Sequence, residues 1–199
     1  SASDYAKRQQ EDAGKLVGIG IRASKSESGF IQVNEVYPDS PAEDAQIKAG
    51  DLIVKVNDID VTADTYESAI TEIGGQAGTK LSLTVRSDNK DREIAEITRR
   101  VVVTPTIYSH MIGTTGYVKI TDFNENTYDQ FKKALENLVG NQGAQSLIFD
   151  LRNNTGGLVD PAIKMLDMLL PEGVIATATY RDGSTEVLGN SDANCIDLP

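Results

Sequence analysis

Residues 146–158 read SLIFDLRNNTGGL, and this stretch predicts a strand followed directly by a turn. The run 147–151 is apolar except for Asp150 and is short enough for a buried strand. Polar residues come next, followed by the pair Gly156-Gly157, which permits unusual backbone angles. The segment therefore predicts a buried strand with a glycine turn at its carboxyl end.

A helix is predicted directly after the glycine turn. Asp160 is a capping residue, Pro161 presets the first helical φ angle, and apolar residues recur at helical spacing as far as Leu170. Ligands and reacting groups tend to lie at the carboxyl end of the strand in such a unit. There, Gly156 and Gly157 could present backbone N–H groups to an oxyanion without a Cβ in the way. On spacing alone, a tight structural connection explains such a glycine pair more often.

The first half of the chain predicts a small domain rich in strands. Alternating or short apolar runs bounded by turn residues favour strands over residues 16–21, 30–36, 51–61 (with a tight turn inside), 80–86 and 94–103. Within the fourth run, Leu81, Leu83 and Val85 alternate with polar residues and should share one buried face.

Helix starts are predicted from capping boxes, in which two side chains satisfy free backbone N–H groups reciprocally. The three boxes are Ser40 with Glu43 around Pro41, Asp64 with Glu67, and Thr127 with Gln130. The helices that follow should end by Gly50, at Gly74-Gly75 and at Gly140, respectively. A polar helix is also predicted over residues 3–13.

The order of elements over residues 14–104 resembles that of a PDZ domain in its bacterial arrangement. The resemblance rests on GIGI at residues 18–21 and on SPAEDAQIKAGDLIVKVND at residues 40–58. It implies a groove that binds an extended peptide as an added strand, with the peptide's terminal carboxylate held by backbone N–H groups. The implied peptide-binding residues are Gly18, Ile19, Gly20, Ile21, Tyr66, Ala69, Ile70 and Ile73. The alternative is that GIG only marks a closely packed strand.

The second half of the chain predicts strands that alternate with helices. Residues 106–112, 116–120, 147–151 and 174–180 have strand character, and helices are expected after residues 127 and 160. This alternation favours a βαβ domain with mainly parallel pairing. We therefore expect a mixed α/β chain with an N-terminal helix (1–13), a PDZ domain (14–104) and a partial core domain (105–199).

The stretch LIFDLRNNTGGL is similar to the strand-and-turn signature of the C-terminal processing, or tail-specific, serine peptidases. These enzymes have a PDZ domain inserted into a core related to the crotonase and Clp-protease folds. The resemblance implies a serine-type endopeptidase whose oxyanion hole uses a backbone N–H of Gly156 or Gly157. It also implies a Ser-Lys dyad that lies beyond Pro199, so that this chain alone is inactive. The alternative is a non-catalytic module or scaffold that binds C-terminal peptides.

Other catalytic arrangements receive little support from the sequence. Ser87 and Lys90 fit the spacing S-x-x-K, but a polar hairpin turn would leave the lysine charged. His110 is the only histidine and has no carboxylate placed to orient it, and Cys195 is the only cysteine. No spacing typical of a metal site occurs, and no cofactor is expected. Asp150 and Arg152 are expected to pair locally and hold the turn.

Composition limits the partners. Thirty acidic against nineteen basic residues give a net charge of −11, which argues against nucleic acid. We expect the C-terminal segment of a protein or peptide as the partner, and a homo-oligomer through the edge of the incomplete sheet is possible. No apolar run approaches 18 residues, so membrane attachment is expected only through a segment outside this chain. An extracytoplasmic location, periplasmic or at the cell surface, is implied by the family resemblance alone.

Overall fold

The structure is a computed structural model that describes residues 12–196. Two compact units are present: one is Lys15–Thr104, and the other combines residues 105–196 with residues 12–14. The second unit is therefore discontinuous in sequence. The helix predicted over residues 3–13 lies almost entirely outside the described residues.

The first unit is built on antiparallel strands. They are β1 (Lys15–Gly18), β2 (Ile21–Lys25), β3 (Ile31–Val36), β4 (Leu52–Val56), β5 (Ile59–Asp60), β6 (Lys80–Ser87), β7 (Lys90–Thr98) and β8 (Arg100–Val103). The main sheet has the order β2-β3-β4-β6-β7, with β5 paired to β4. Strands β1 and β8 form a separate antiparallel pair that joins Lys15 to Val103. Strand β2 therefore lies at one edge of the main sheet.

Two helices cover the core of this unit. They are α1 (Pro41–Asp44) and α2 (Tyr66–Ile73). The predicted alternation of β6 is confirmed, since Leu81, Leu83 and Val85 are all buried in the core. One apolar cluster thus fixes the positions of β2, β6 and α2.

The first capping box is confirmed, except that the second backbone donor is Asp39 rather than Ser40. The Ser40 hydroxyl accepts a hydrogen bond from the Glu43 N–H at 3.2 Å, while the Glu43 carboxylate accepts one from the N–H of Asp39 at 2.7 Å. Helix α1 ends at Asp44, well before Gly50, and Gln46 has a φ of 57° that a helix does not tolerate.

Three other predictions for this unit are wrong. The strand predicted over residues 16–21 breaks at Ile19-Gly20, where Gly20 has a φ of 78°. The strand predicted over residues 94–103 breaks at Arg99, whose guanidinium turns inward to bind carbonyls at the end of α2. The second capping box does not form, because α2 starts after Thr65 and has no side-chain cap. The Thr65 hydroxyl donates to the carbonyl of Asp60 instead.

The second unit contains one βαβ segment and two antiparallel pairs. Its elements are β9 (Ile107–Ile112), β10 (Thr115–Ile120), α3 (Thr127–Leu135) with a π-helical continuation (Glu136–Asn141), β11 (Ser146–Asp150), α4 (Val159–Asp167), β12 (Gly173–Thr179) and β13 (Thr185–Ser191). Strands β10 and β11 are parallel, whereas β9–β10 and β12–β13 are antiparallel. The mixed α/β class is confirmed, the mainly parallel pairing is wrong, and β13 was not predicted.

The core of the second unit forms between α3 and the sheet. Phe131, Leu135 and Leu138 are fully buried with Val118. Leu138 lies on the π-helical segment, which runs through Gly140 to Asn141, so Gly140 does not end the helix as predicted. The wider π turn keeps Leu138 in the core.

The third capping box is also wrong. Asn126 precedes α3 and makes no side-chain cap, and Thr127 is buried in the first turn. The Thr127 hydroxyl hydrogen bonds to the hydroxyl of Thr106 at 2.9 Å, and the Gln130 side-chain oxygen accepts from the Thr106 N–H. Both side chains therefore stabilise a tertiary contact with the start of β9.

The strand that begins the signature stretch is not buried as predicted. The sheet order β11-β10-β9 puts β11 at an edge, where Ile148 is 50% exposed and Phe149 is 36% exposed. The helix after the glycine turn starts at Val159, with Leu158 preceding it and no side-chain cap. Asp160 is therefore not the predicted capping residue, and its carboxylate pairs with Lys164 at 2.6 Å.

Candidate functional site

The first unit has a groove between the edge strand β2 and helix α2. The outer edge of β2 has no strand partner among residues 12–196. At one end of the groove, a Cβ added at Gly18 would lie 3.9 Å from the carbonyl oxygen of Ile73. At the other end, the Lys25 ammonium donates to the Ala63 carbonyl at 2.7 Å and lies 5.4 Å from the centre of the Tyr66 ring. Helix α2 therefore runs alongside β2, which leaves a strand edge and an apolar wall facing each other.

The predicted peptide-binding side chains divide into two sets. The side chains of Ile19, Ala69 and Ile73 are buried in the core and support the groove from below. The half-buried side chains pack on that core and leave apolar surface in the groove, and they are Ile21, Tyr66 and Ile70. Ala23 has the same position but lies outside the strand predicted over residues 16–21, so it was not predicted to line the groove. The alternation Ile21, Ala23, Lys25 was the signal that β2 continues.

The loop between β1 and β2 presents backbone N–H groups. The carbonyls of Ile19 and Gly20 accept hydrogen bonds from the N–H groups of Ala42 at 2.8 Å and Tyr37 at 2.9 Å. The N–H groups of Ile19 and Gly20 themselves donate to no acceptor in the described part of the chain. A Cβ added at Gly20 would lie 2.3 Å from the Ser40 Cβ, so a larger residue would displace the loop. The fold fixes this loop through its carbonyls and leaves an arrangement suited to an anion.

The glycine turn of the second unit holds one available N–H group. The Gly156 N–H donates to the Asn154 side-chain oxygen at 2.7 Å. The Gly157 N–H donates to no acceptor within residues 12–196. The backbone of Phe123 brackets the turn, since its N–H donates to the Gly156 carbonyl at 3.2 Å and its carbonyl accepts from Leu158 at 2.7 Å. Of the two predicted oxyanion donors, the geometry therefore favours Gly157.

The strand before this turn ends in a charged cluster. Arg152 donates to the Asp150 carboxylate through Nε at 2.9 Å and Nη2 at 2.7 Å, and Tyr117 donates to the same carboxylate through its hydroxyl. The Arg152 hydrogen bonds hold the pKa of Asp150 well below its usual range. The hydrogen bond to Asp150 raises the pKa of Tyr117 above its usual value. The predicted local pairing of Asp150 with Arg152 is confirmed, and the pair anchors the turn to β10.

The rejected catalytic candidates make hydrogen bonds or contacts that differ from those of a catalytic dyad or triad. Ser87 and Lys90 face each other across a hairpin whose turn residues have positive φ angles, and the Ser87 hydroxyl donates to Asp51 at 2.5 Å. His110 is exposed and packs against Tyr117 with the two rings tilted, at 4.8 Å between the ring centres. Cys195 is a half-exposed free thiol.

Among residues 12–196, no group of three or more His, Cys, Asp or Glu side chains is arranged to hold a metal ion. None of the helices between residues 12 and 196 has the length and apolar character needed to cross a membrane.

Each of the two units matches a known protein family. Residues 114–195 match the model of peptidase family S41, and residues 32–87 match a PDZ domain model. The chain is 34% identical over 173 residues to the carboxy-terminal processing protease CtpA of Bacillus subtilis, which covers 86% of this chain. This chain belongs to the carboxy-terminal processing protease family.

A second relative has a similar sequence identity to the chain. A probable CtpA-like serine protease of Staphylococcus epidermidis is 32% identical over 180 residues, which is 90% of this chain and 36% of that protein. The Bacillus subtilis protein is matched over 37% of its length. The chain therefore spans less than two-fifths of the curated relatives that it matches.

Solved structures support the fold of this chain. The photosystem II D1 C-terminal processing protease matches all of the chain with 56% of its own length, at a TM-score of 0.51 and 24% identity. A putative S41 protease from Bacteroides fragilis matches 90% of the chain with 55% of its own length, at a TM-score of 0.54 and 18% identity. At these identities the likeness concerns the fold alone.

Proposed function

We propose that this chain supplies the substrate-binding groove and one oxyanion donor of a serine endopeptidase that processes protein C-termini. The observation that carries the proposal is the edge strand β2, which faces α2 and follows directly after the free N–H groups of Ile19 and Gly20. An unpaired strand edge next to an anion-binding loop suits one class of ligand, which is an extended chain that ends in a carboxylate.

Substrate capture follows from this geometry. The peptide adds to β2 as an antiparallel strand, since its C-terminus lies at the end of β2 that comes first in the chain. Backbone hydrogen bonds supply affinity that does not depend on sequence. The half-buried side chains of Ile21, Tyr66 and Ile70 favour aliphatic or small C-terminal residues.

The glycine turn of the second unit supports a role at the reacting carbonyl. When a nucleophile attacks a peptide carbonyl, negative charge develops on the oxygen, and a prepositioned N–H stabilises it. Gly157 offers such an N–H, and the Asn154 and Phe123 hydrogen bonds hold the turn in place before substrate arrives. Removing one such donor costs about 10²- to 10³-fold in turnover in serine peptidases.

We further propose that the nucleophilic serine and the lysine base lie beyond Pro199. A lysine acts as a base only when burial keeps it neutral and hydrogen bonded to the serine. No serine hydroxyl is hydrogen bonded to a lysine amine among residues 12–196, and the matched relatives are more than twice as long. The 199-residue chain is then inactive alone, and reproducible peptide hydrolysis by a contaminant-free preparation would contradict this.

Calorimetric titration of the 199-residue chain tests the groove. A short peptide ending in Ala-Ala should bind with a free C-terminus and bind at least about tenfold more weakly when amidated, because the amide removes the charge that the loop holds. An Ile70→Asp variant should lose binding, whereas Val101→Asp, an equally polar change at a site 56% exposed on β8, should retain it. Equal affinity for the acid and the amide, or no binding of either, contradicts the proposal.

Location outside the cytoplasmic membrane is proposed from the family resemblance alone. Fractionation of cells that express the full-length protein, with detection by an antibody against this chain, measures it directly. Recovery in the cytoplasmic fraction would overturn this part of the proposal.

A further inference from the structure

The far end of the groove is closed by Lys25, which lies at the end of β2. The Lys25 ammonium contacts the Ala63 carbonyl and the face of the Tyr66 ring, and it forms no ion pair with a carboxylate of residues 12–196. Beyond it, the turn between β2 and β3 lies against Ala63, since a Cβ added at Gly29 would lie 2.7 Å from the Ala63 nitrogen. The groove therefore runs from Gly20 to Lys25 and stops there.

The register of an added strand defines which ligand residue meets Lys25. With the terminal carboxylate at the N–H groups of Ile19 and Gly20, the last ligand residue lies opposite Ile21. Each residue upstream then lies opposite the next residue of β2, so the fifth from the C-terminus faces Lys25. At about 3.3 Å per residue, the five residues of β2 match an extended segment of about 16 Å.

Side-chain alternation puts that fifth residue on the side of α2. Ile21 and Ala23 are half-buried against the core that α2 covers, whereas Arg22 and Ser24 are exposed on the opposite side. The bulge at this point inserts its extra residue into β3, so the alternation along β2 is kept. Directly opposed residues of an antiparallel pair share a face. The fifth ligand side chain therefore lies beside the ammonium of Lys25.

The chemistry of Lys25 selects the ligand group. An ammonium has three N–H donors, and the Ala63 carbonyl occupies one of them. The carbonyl and the Tyr66 ring hold the charge at the rim of the groove without neutralising it. A carboxylate can approach the remaining donors without breaking either contact.

We infer that Lys25 is a specificity-determining residue, which selects substrates with Asp or Glu at the fifth position from the C-terminus. This inference rests on the proposed peptide-binding function of the groove. It adds a substrate class to that function: extended C-termini with an apolar end and an acidic residue four positions upstream.

Paired peptides test the inference on the 199-residue chain. Two heptapeptide sets are synthesised with free C-termini, identical except for Glu or Gln at the fifth position from the end, with Ala, Val, Leu or Ser at the last four positions. Glu peptides should bind about two- to fivefold more tightly than their Gln partners, as expected for a partly exposed ion pair. The preference should shrink when salt is raised from about 50 mM to about 500 mM, since exposed pairs are screened.

Variants assign the preference to Lys25. Lys25→Met keeps an unbranched stem over Tyr66 and removes the charge, so it should bind Glu and Gln peptides equally. Lys25→Glu should bind a peptide with Lys at the fifth position from the end more tightly than the matching peptide with Glu, which is the reverse of the wild-type order. Lys90→Met, at an exposed hairpin end, is the control that should keep the wild-type preference. Thermal unfolding of each variant verifies that it folds.

The outcomes separate the two proposals. Equal binding of Glu and Gln peptides to the wild type, or a preference that survives in Lys25→Met, overturns the role of Lys25 and leaves the groove intact. Failure of every free-acid peptide to bind overturns the groove and this inference with it.

Discussion

Gly157 lies against the backbone of Phe123, and a Cβ added to this glycine would be 2.3 Å from the Phe123 carbonyl oxygen. The two residues form a parallel bridge, and Gly157 has a φ of 139°. No side chain fits this position without moving the turn that carries the candidate oxyanion donor. The contact explains why the second glycine of the signature is required, whereas an added Cβ at Gly156 would meet nothing within 4 Å.

Gly157→Ala should therefore destabilise the turn. We expect a loss on the order of 2–4 kcal/mol in the stability of the second unit, from the backbone clash and the positive φ together. Hydrogen exchange followed on fragments from residues 120–160 measures the effect locally. Gly173→Ala is the matched control, because a Cβ added at Gly173, unlike one at Gly157, meets nothing within 4 Å and the φ of Gly173 is not positive, so its exchange should match the wild type. Equal protection in both variants would contradict the role of the contact.

The Asp150 cluster predicts a pH dependence of stability. Hydrogen bonds from Arg152 lower the pKa of Asp150 in the folded state, so the ionised carboxylate stabilises the fold above its unfolded pKa of about 3.9. That contribution is lost as the pH falls through the folded pKa. Urea unfolding between about pH 2 and pH 7 should show Asp150→Asn less stable than wild type at neutral pH, with the difference shrinking in acid. A constant difference would contradict the pairing.

Tyr117 supplies an independent measurement of the same cluster. Its hydrogen bond to Asp150 raises the pKa of the phenol, so its stabilising effect is present below about pH 10 and is lost as the pH rises through the folded pKa. In an ultraviolet titration, the difference between wild type and Tyr117→Phe reports this one phenol. It should ionise above about pH 10 in the wild type and closer to about pH 10 in an Asp150→Asn background.

Arg99 stabilises the helix wall of the groove. The residue is only 5% exposed, and its guanidinium donates hydrogen bonds to the carbonyls of Glu72 and Ile73 at the end of α2 and to the carbonyl of Lys80 on β6. Arg99→Met should destabilise the first unit by about 2–4 kcal/mol, because buried carbonyls lose their donors.

The neighbouring arginine is the control for that experiment. Arg100 has a side chain that is 48% exposed and pairs with Asp44 at the surface, so Arg100→Met should change stability by less than about 1 kcal/mol. Chemical unfolding of both variants measures the contrast. Similar losses in the two would show that the guanidinium of Arg99 is not the cause.

The outer edge of β11 predicts self-association of the chain. Its backbone edge has no strand partner among the described residues, and Ile148 is exposed beside it. Open apolar edges of this kind pair with other chains. Sedimentation velocity at several concentrations should show a rising mean mass for the wild type and a constant one for Ile148→Lys. A wild-type chain that stays monomeric at about 100 µM would contradict the prediction.

Hydrogen bonds at helix starts were predictable where the donor and the acceptor lie close in sequence. The hydrogen bonds around Ser40 and Glu43 join residues within four positions of each other, so the first capping box could be identified directly. Thr127 and Gln130 have the same spacing, but both bind Thr106, about twenty residues away, and the box does not form. A sequence pattern cannot reveal that competition.

The candidate site likewise has features that the sequence predicts and features that depend on residues distant in sequence. The positions of the β1–β2 loop and of the glycine turn followed from the sequence, because glycines mark the backbone angles that both need. Which N–H group remains available depends on Asn154 and on Phe123, which is more than thirty positions from Gly157. The exposure of β11 likewise depends on sheet order, which an apolar run does not specify.

The pairing of Lys15 with Val103 brings the two ends of the PDZ unit together at a single point. A module that starts and finishes at one place can be spliced into a loop of another protein, or removed from it, without rerouting the recipient's backbone. A recombination event of that kind would add a domain that binds C-terminal peptides to an existing peptidase in one evolutionary step. Because the two ends lie together, protein engineers can also replace residues 14–104 with another peptide-binding domain whose ends lie together.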